Sequence, residues 1–207
     1  MTSKHSPARR TVALAAAGAA AFVLAACGGS ETSSGHGGHA AATPSTAASA
    51  PLGRHNAADV AFAKGMVPHH RQAVEMAELA AARAESAEVR KLAEDIRKAQ
   101  DPEIRTLSGW LSSWGEDVPA ASGADHAAHG AEGMMSPREM ARLEKSSGKA
   151  FDTAFMELMI EHHEGAVAMA EAERAGGAHP AAKRMAGDII TAQTGEISLM
   201  RKLLGRG

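Results

Sequence analysis

The sequence predicts an all-α protein: a four-helix bundle made of two tandem helical hairpins related by pseudo-two-fold symmetry, with one short extra helix. Three observations lead there. The apolar residues are mostly Ala, Leu, Met and Val, with no Tyr, four Phe and two Trp, a vocabulary that favours helices over sheets built from aromatic and β-branched side chains. Between polar linkers the apolar positions recur with a helical period. The two halves also match, without a gap, at a constant offset of 93 residues. Asp59 pairs with Asp152, Phe62 with Phe155, Met66 with Met159, and His69-His70 with His162-His163. The match continues through Met76-Ala77-Glu78 and Met169-Ala170-Glu171, and then through Ala99-Gln100 and Ala192-Gln193 to Glu103-Ile104 and Glu196-Ile197. A register held over that length reads as a tandem duplication of a hairpin that cannot bury its apolar face alone.

The elements follow in order. Residues 1–26 read as a signal peptide: Lys4, Arg9 and Arg10 precede the apolar run "TVALAAAGAAAFVLAAC", which is too short and too rich in Ala and Gly for a membrane span. "LAAC" resembles a lipobox, which makes Cys27, the single cysteine, the expected lipid attachment point and the membrane a partner through an N-terminal anchor. "RRTVAL" also allows twin-arginine export. Cleavage there removes three basic and no acidic residues, taking the net charge from −2 to −5. Residues 27–54, rich in Gly, Ser, Thr, Ala and Pro, read as a disordered tether. The bundle domain is then 55–207, with hairpin one at 56–114, a linker at 115–135, a short helix at 136–146 and hairpin two at 148–205.

Cap signals set these bounds. Helix one is expected over about 56–85, with Pro68 inside it bending or loosening one turn. Helix two starts near Ser86, with Glu88 in its first turn, and ends around Trp114-Gly115. "SPREMARLE" places Ser136 as N-cap, Pro137 first and Glu139 three residues on. Helix three stops at Gly176-Gly177, and helix four starts after His179 with Pro180 leading.

The chemistry lies in the core stripes. Helix one presents Phe62, Met66, His69, Ala73, Met76 and Ala80 to the interior, and helix three presents Phe155, Met159, His162, Ala166 and Met169. His70 and His163 fall about 100° around the helix, on a flank beside Val74 and Val167. The partner helices carry Ile96, Gln100, Glu103, Leu107, Trp110 and Trp114, and Ile189, Gln193, Glu196, Met200 and Leu203. Each copy thus puts a glutamine and a glutamate where an interior is expected. A buried carboxylate costs several kcal/mol unless a proton, a cation or a metal accompanies it. Each half is expected to supply charge that neutralises residues of the other. Without a metal, Glu103 and Glu196 would ion-pair the histidines in a structural polar network, and the methionines would be core filler. Gln100 and Gln193 are expected to hydrogen-bond around the site rather than ligate. "GHGGH" (His36, His39) and "DHAAH" (His126, His129) in the linkers read either as loose metal-scavenging tracts or as low-complexity sequence.

The phrase Phe155-x-x-x-Met159-x-x-His162-His163-x-x-Ala166-x-x-Met169-Ala170, followed by Gln193-x-x-Glu196-Ile197 and Met200, resembles the exported ferritin-like family catalogued as domain of unknown function number three-zero-five. The resemblance covers both halves, from about Asp59 to Leu204. It implies a helical bundle outside the cytoplasm and, for some members, copper binding and copper tolerance. On matching positions it points to His69, His70, His162 and His163 with Met66, Met76, Met159 and Met169. One position departs between the copies: Pro68 precedes the first histidine pair and Glu161 the second.

The leading reading is an extracytoplasmic metal-binding lipoprotein without enzymatic activity, holding copper through His and Met for buffering, tolerance or delivery. Thioether and imidazole suit monovalent copper, imidazole and carboxylate the divalent ion, and another transition metal remains open. A di-metal iron or manganese oxidase is the alternative, although neither copy contains the Glu-x-x-His of ferritin-like carboxylate sites. A metal-free surface interaction module is the third. One cysteine excludes thiolate zinc and iron–sulfur sites, and the near-neutral charge gives no reason to expect nucleic acid. No nucleophile elbow, phosphate loop or nucleotide fingerprint occurs.

Overall fold

Five helices account for the computed structural model, which describes residues 54–120 and 133–206: α1 (Ala57–Arg83), α2 (Ala87–Trp114), α3 (Pro137–Lys145), α4 (Gly148–Gly176) and α5 (Pro180–Leu203). The expected signal peptide, Cys27, the tether, and the linker histidines His126 and His129 lie outside the described residues. Among those described, no helix is long and apolar enough to cross a membrane.

Local sequence explains each boundary. Asn56 caps α1 by accepting from the Ala58 and Asp59 N–H groups, while Asp59 reaches back to the Asn56 N–H. Ser86 caps α2 by accepting from the N–H groups of Glu88 and Val89, and Gly115 ends that helix at φ 77°, where a side chain would be strained. Ser136 and Glu139 form the expected capping box of α3. His179 caps α5, its Nδ1 accepting from the Ala182 N–H. Helix α1 runs through Pro68 as one element.

The closest helix pairs are α1 with α2, α4 with α5, and α1 with α4. The two hairpins therefore join through their first helices. Their core is divided. One apolar cluster holds Met76, Leu92, Ile96, Phe151, Phe155, Met159 and Met200. The other holds Phe62, Met66, Leu107, Leu111, Ala166 and Ile189. Between them in sequence, on all four long helices, fall His69-His70, Gln100 and Glu103, His162-His163, and Gln193 and Glu196. The bundle is thus layered, apolar–polar–apolar, about a central band of imidazole, amide and carboxylate.

The flank that carries His70 and His163 is itself interior, both imidazoles being fully buried. Two expectations need correction. Leu203, expected inside, is 38% exposed near the end of α5. Trp110 and Trp114 are only partly buried, and Leu111 takes the interior position instead. The α5 stripe thus reaches the surface near its end, whereas at the end of α2 the two indoles pack at the rim of the apolar cluster against His55 and His179.

Candidate metal centre

Helical spacing and the join between α1 and α4 position the centre. His69 and His162 occupy equivalent places in the two copies, and the ring centroids stand 3.7 Å apart at an interplanar angle of 40°. Beside this pair, His70 Nε2 is 2.7 Å from Glu103 Oε2, and His163 Nε2 is 2.6 Å from Glu196 Oε2. All four imidazoles are inaccessible to solvent. The carboxylates are the outward side of the layer, with side chains 23% and 21% exposed for Glu103 and Glu196.

These contacts revise the expected exchange of charge between halves. Each glutamate serves the second histidine of its own hairpin, whereas the first histidines meet across the join. The physical reason is helix geometry. Residues 69 and 70 differ by about 100° in direction, so one ring points at α4 while its neighbour points at α2.

Burial leaves lone pairs unused. His70 and His163 give their Nε2 atoms to carboxylates, but their Nδ1 atoms have no hydrogen-bond partner among the described residues. Neither ring nitrogen of His162 makes a hydrogen bond of ordinary geometry. The Oε1 atoms of Gln100 and Gln193 are likewise buried and unpartnered. Burial pushes the His162 imidazole well below its ordinary pKa, and the neighbouring His69, His163 and His70 rings add to the shift. The His69 main chain opposes it weakly. His162 is therefore neutral at physiological pH, the form a metal ligand requires.

The four methionines distribute across the hairpins. Met76 and Met159 share one apolar cluster. Met66 lies in the other, with Met169 packed against it. A Cβ at Gly65 would stand 3.2 Å from the Met169 sulfur, so the thioether lies directly over the α1 backbone there. Each thioether pair draws one sulfur from each hairpin, on either side of the histidine layer.

Among the described residues, no group of three or more His, Cys, Asp and Glu side chains is arranged to hold a metal ion.

Several functional-looking contacts were not read from sequence. Gln72, between the histidines and Met76, accepts from the Met135 N–H and donates to the Met135 carbonyl, at 2.7 and 2.9 Å. It docks the chain leading into α3 against α1. Gly133, at φ 83°, crosses α4 so closely that a Cβ would lie 2.6 Å from the Glu161 carbonyl and 3.1 Å from that of His162. Asp59 and Asp152 are buried and tie each first helix to the other hairpin's turn. Their recurrence in both copies was the available signal. His55, Trp110, Trp114 and His179 form a partly exposed aromatic cluster, with His55 stacked on Trp114 at 4.6 Å.

An all-α bundle with a buried imidazole–carboxylate layer between thioether-bearing apolar layers is the class that fold and site define. The chain belongs to the DUF305 family: the model described as Domain of unknown function (DUF305) matches residues 59–204. A comparison with curated proteins gives no match. Solved structures are similar over most of the chain. A DUF305 protein of Streptomyces coelicolor, put forward as secreted, is 35% identical with a TM-score of 0.65, covering 72% of this chain and 92% of its own. A DUF305 fragment from Deinococcus radiodurans is 34% identical with a TM-score of 0.65, covering 73% and 98%. CopM in its Cu(I)-bound form is 32% identical with a TM-score of 0.59, covering 70% and 94%. CopM has also been crystallised in Cu(II)-bound, silver-bound and apo forms.

Proposed function

We propose that this chain is an extracytoplasmic metal-binding protein, not an enzyme, that takes copper at the middle of the bundle for buffering, tolerance or delivery. The observation that carries the reading is the layer itself: four buried imidazoles, two of them 3.7 Å apart across the hairpins, with thioethers in the apolar layers on both sides. A neutral His162 and lone pairs on His70 and His163 without donors support it, as does the likeness to CopM, whose bound ions are copper and silver. His69 and His162 would hold a monovalent ion together with sulfur from Met66, Met76, Met159 or Met169. Glu103 and Glu196 would orient His70 and His163 and, being the part of the layer that reaches solvent, receive an arriving cation. Bound copper would supply charge to a layer that otherwise leaves buried acceptors without partners.

The leader and "LAAC" support export and lipid anchoring at Cys27 on the outer face of the cell membrane. Replacement of Cys27 by Ala should release the protein from the membrane fraction.

The decisive experiment is anaerobic titration of the purified chain with monovalent copper against a competing chelator. Stoichiometric binding is expected, and it should be lost in the His69→Leu, His162→Leu double variant while that variant stays helical. Binding no tighter than that of a free histidine-rich peptide, or unchanged in the variant, would remove the reading. In the metal-free alternative the histidine–glutamate pairs only fix helix register, and the same double variant would be folded with no change in metal content.

A further inference from the structure

One buried acid takes no part in the histidine layer. Glu173, near the end of α4, is 1% exposed, and neither of its carboxyl oxygens meets an N–H or O–H donor. The polar group beside it is another carboxylate, Asp59 on α1. Asp59 is itself fully buried and already accepts from the main-chain N–H groups of Asn56, Ala178 and His179, at 2.6 to 3.2 Å. Two acceptors facing one another satisfy neither unless a proton lies between them. Space for the second carboxyl exists because residue 177 is glycine; a Cβ there would collide with the Glu173 side chain.

We infer that Glu173 and Asp59 share a proton, forming an acid-strengthened clasp that holds the start of α1 to the α4–α5 turn and loosens as that proton becomes harder to keep. The other end of the bundle is a built-in control. Asp152 occupies the position equivalent to Asp59 and accepts from Glu85 and Ser86 N–H at 3.1 and 2.8 Å. The residue equivalent to Glu173 is Ala80, so no second carboxyl is present there.

The surrounding charges agree in sign. Burial, the hydrogen bond to Asp59 and its negative charge push Glu173 up to about 8, and Lys183 on α5 opposes them. Burial works to raise Asp59 as well, but the N–H groups of His179, Asn56 and Ala178 and the Glu173 carboxyl outweigh it and leave its pKa lowered. Glu173 is thus the member that carries the proton. At this end α2 contributes Trp110 and Trp114, which do not titrate, while Glu116 is paired with Lys64. The α5 N-cap His179, His55 against Trp114, and the exposed Arg174 and Glu171 on α4 are the other ionisable groups at this end. A carboxyl raised in the folded state gives stability that is complete below its ordinary pKa near 4.5 and lost as pH rises towards about 8.

The test is amide hydrogen exchange on the full chain, corrected for intrinsic rates, at pH 5 to 9. Opening measured at Ala178 and His179 should rise by up to about tenfold per pH unit between pH 5 and 8 and then level off. Glu85 and Ser86, at the other end, should show a much weaker trend. In Glu173→Gln, whose amide donates to Asp59 at every pH, the difference between the ends should vanish. Parallel pH dependence at both ends of the unaltered protein would overturn the inference. So would an unchanged difference in Glu173→Gln, or in Glu173→Ala should the glutamine variant fail to fold. Copper binding does not enter either outcome.

Discussion

The two hairpins are one design used twice, and what they share differs in kind from what separates them. Their shared contacts repeat down to the hydrogen bond. Asp59 holds Ala178 and His179 as Asp152 holds Ser86 and Glu85. His70 meets Glu103 at the same sequence separation, 33 residues, as His163 meets Glu196. Both second-helix N-caps, Ser86 and His179, accept from the residue three places on. The differences fall around this frame. Gln72 faces the linker where the other copy has Gly165, and Glu173 is buried where the other copy has Ala80. Phe151 stacks on Phe155 at 5.7 Å, whereas Phe62 has Ala58 in that place. Elements needed to close the pseudo-symmetric join are duplicated. Residues that meet the single linker or a single end are free to diverge, because each meets a neighbour that exists only once.

Large truncations should expose that asymmetry most clearly. Phe155→Ala removes a fully buried ring with an aromatic neighbour, and a cost of about 3–5 kcal/mol is expected in denaturant unfolding. Phe62→Ala should cost measurably less, since Ala58 stands where Phe151 stacks on Phe155 in the other copy. Equal losses would mean that the two ends are energetically alike despite their different packing.

The linker contacts come next. Gln72→Ala strands the buried Met135 N–H and carbonyl and should destabilise by roughly 2–4 kcal/mol. The equivalent change in the other half, Gly165→Ala, tests how closely the linker lies on α4, because Gly133 passes over that backbone. Its effect should appear as release of the linker to proteolysis rather than as loss of the bundle.

The smallest effect is a pH limb. His162 is depressed in the folded state, chiefly by burial. Its contribution to stability is therefore complete above the ordinary histidine value of 6.5 and lost as pH falls below it. Urea midpoints should fall below about pH 6.5, and His162→Leu should flatten that limb. A wild-type acid limb unaltered by the substitution would assign it to other groups.

Much of this was legible without coordinates. Cap residues mark the starts of α1, α2, α3 and α5, since Asn56, Ser86, Ser136 and His179 each satisfy specific main-chain N–H groups, whereas Ser147 before α4 makes no such bond. The duplication named the four histidines and two glutamates as a set. Asp59 and Asp152 were visible as a repeated pair but not as clasps, because their partners lie in a turn of the other hairpin. Glu173 gave no signal at all: in the linear pattern it is one more charge near a helix end, and its burial follows from Gly177 and from the approach of α1.

The sequence by itself determined the helices, the repeat and the chemical types gathered at the middle, because caps and a 3.6-residue period are local properties of the chain. Only the tertiary structure decided who meets whom. Periodicity gives the direction of a side chain about its own helix axis, but not which neighbouring helix stands in that direction. Joining the hairpins through α1 and α4 is what set His69 against His162, kept His70 with Glu103 and His163 with Glu196, and buried Glu173 against Asp59.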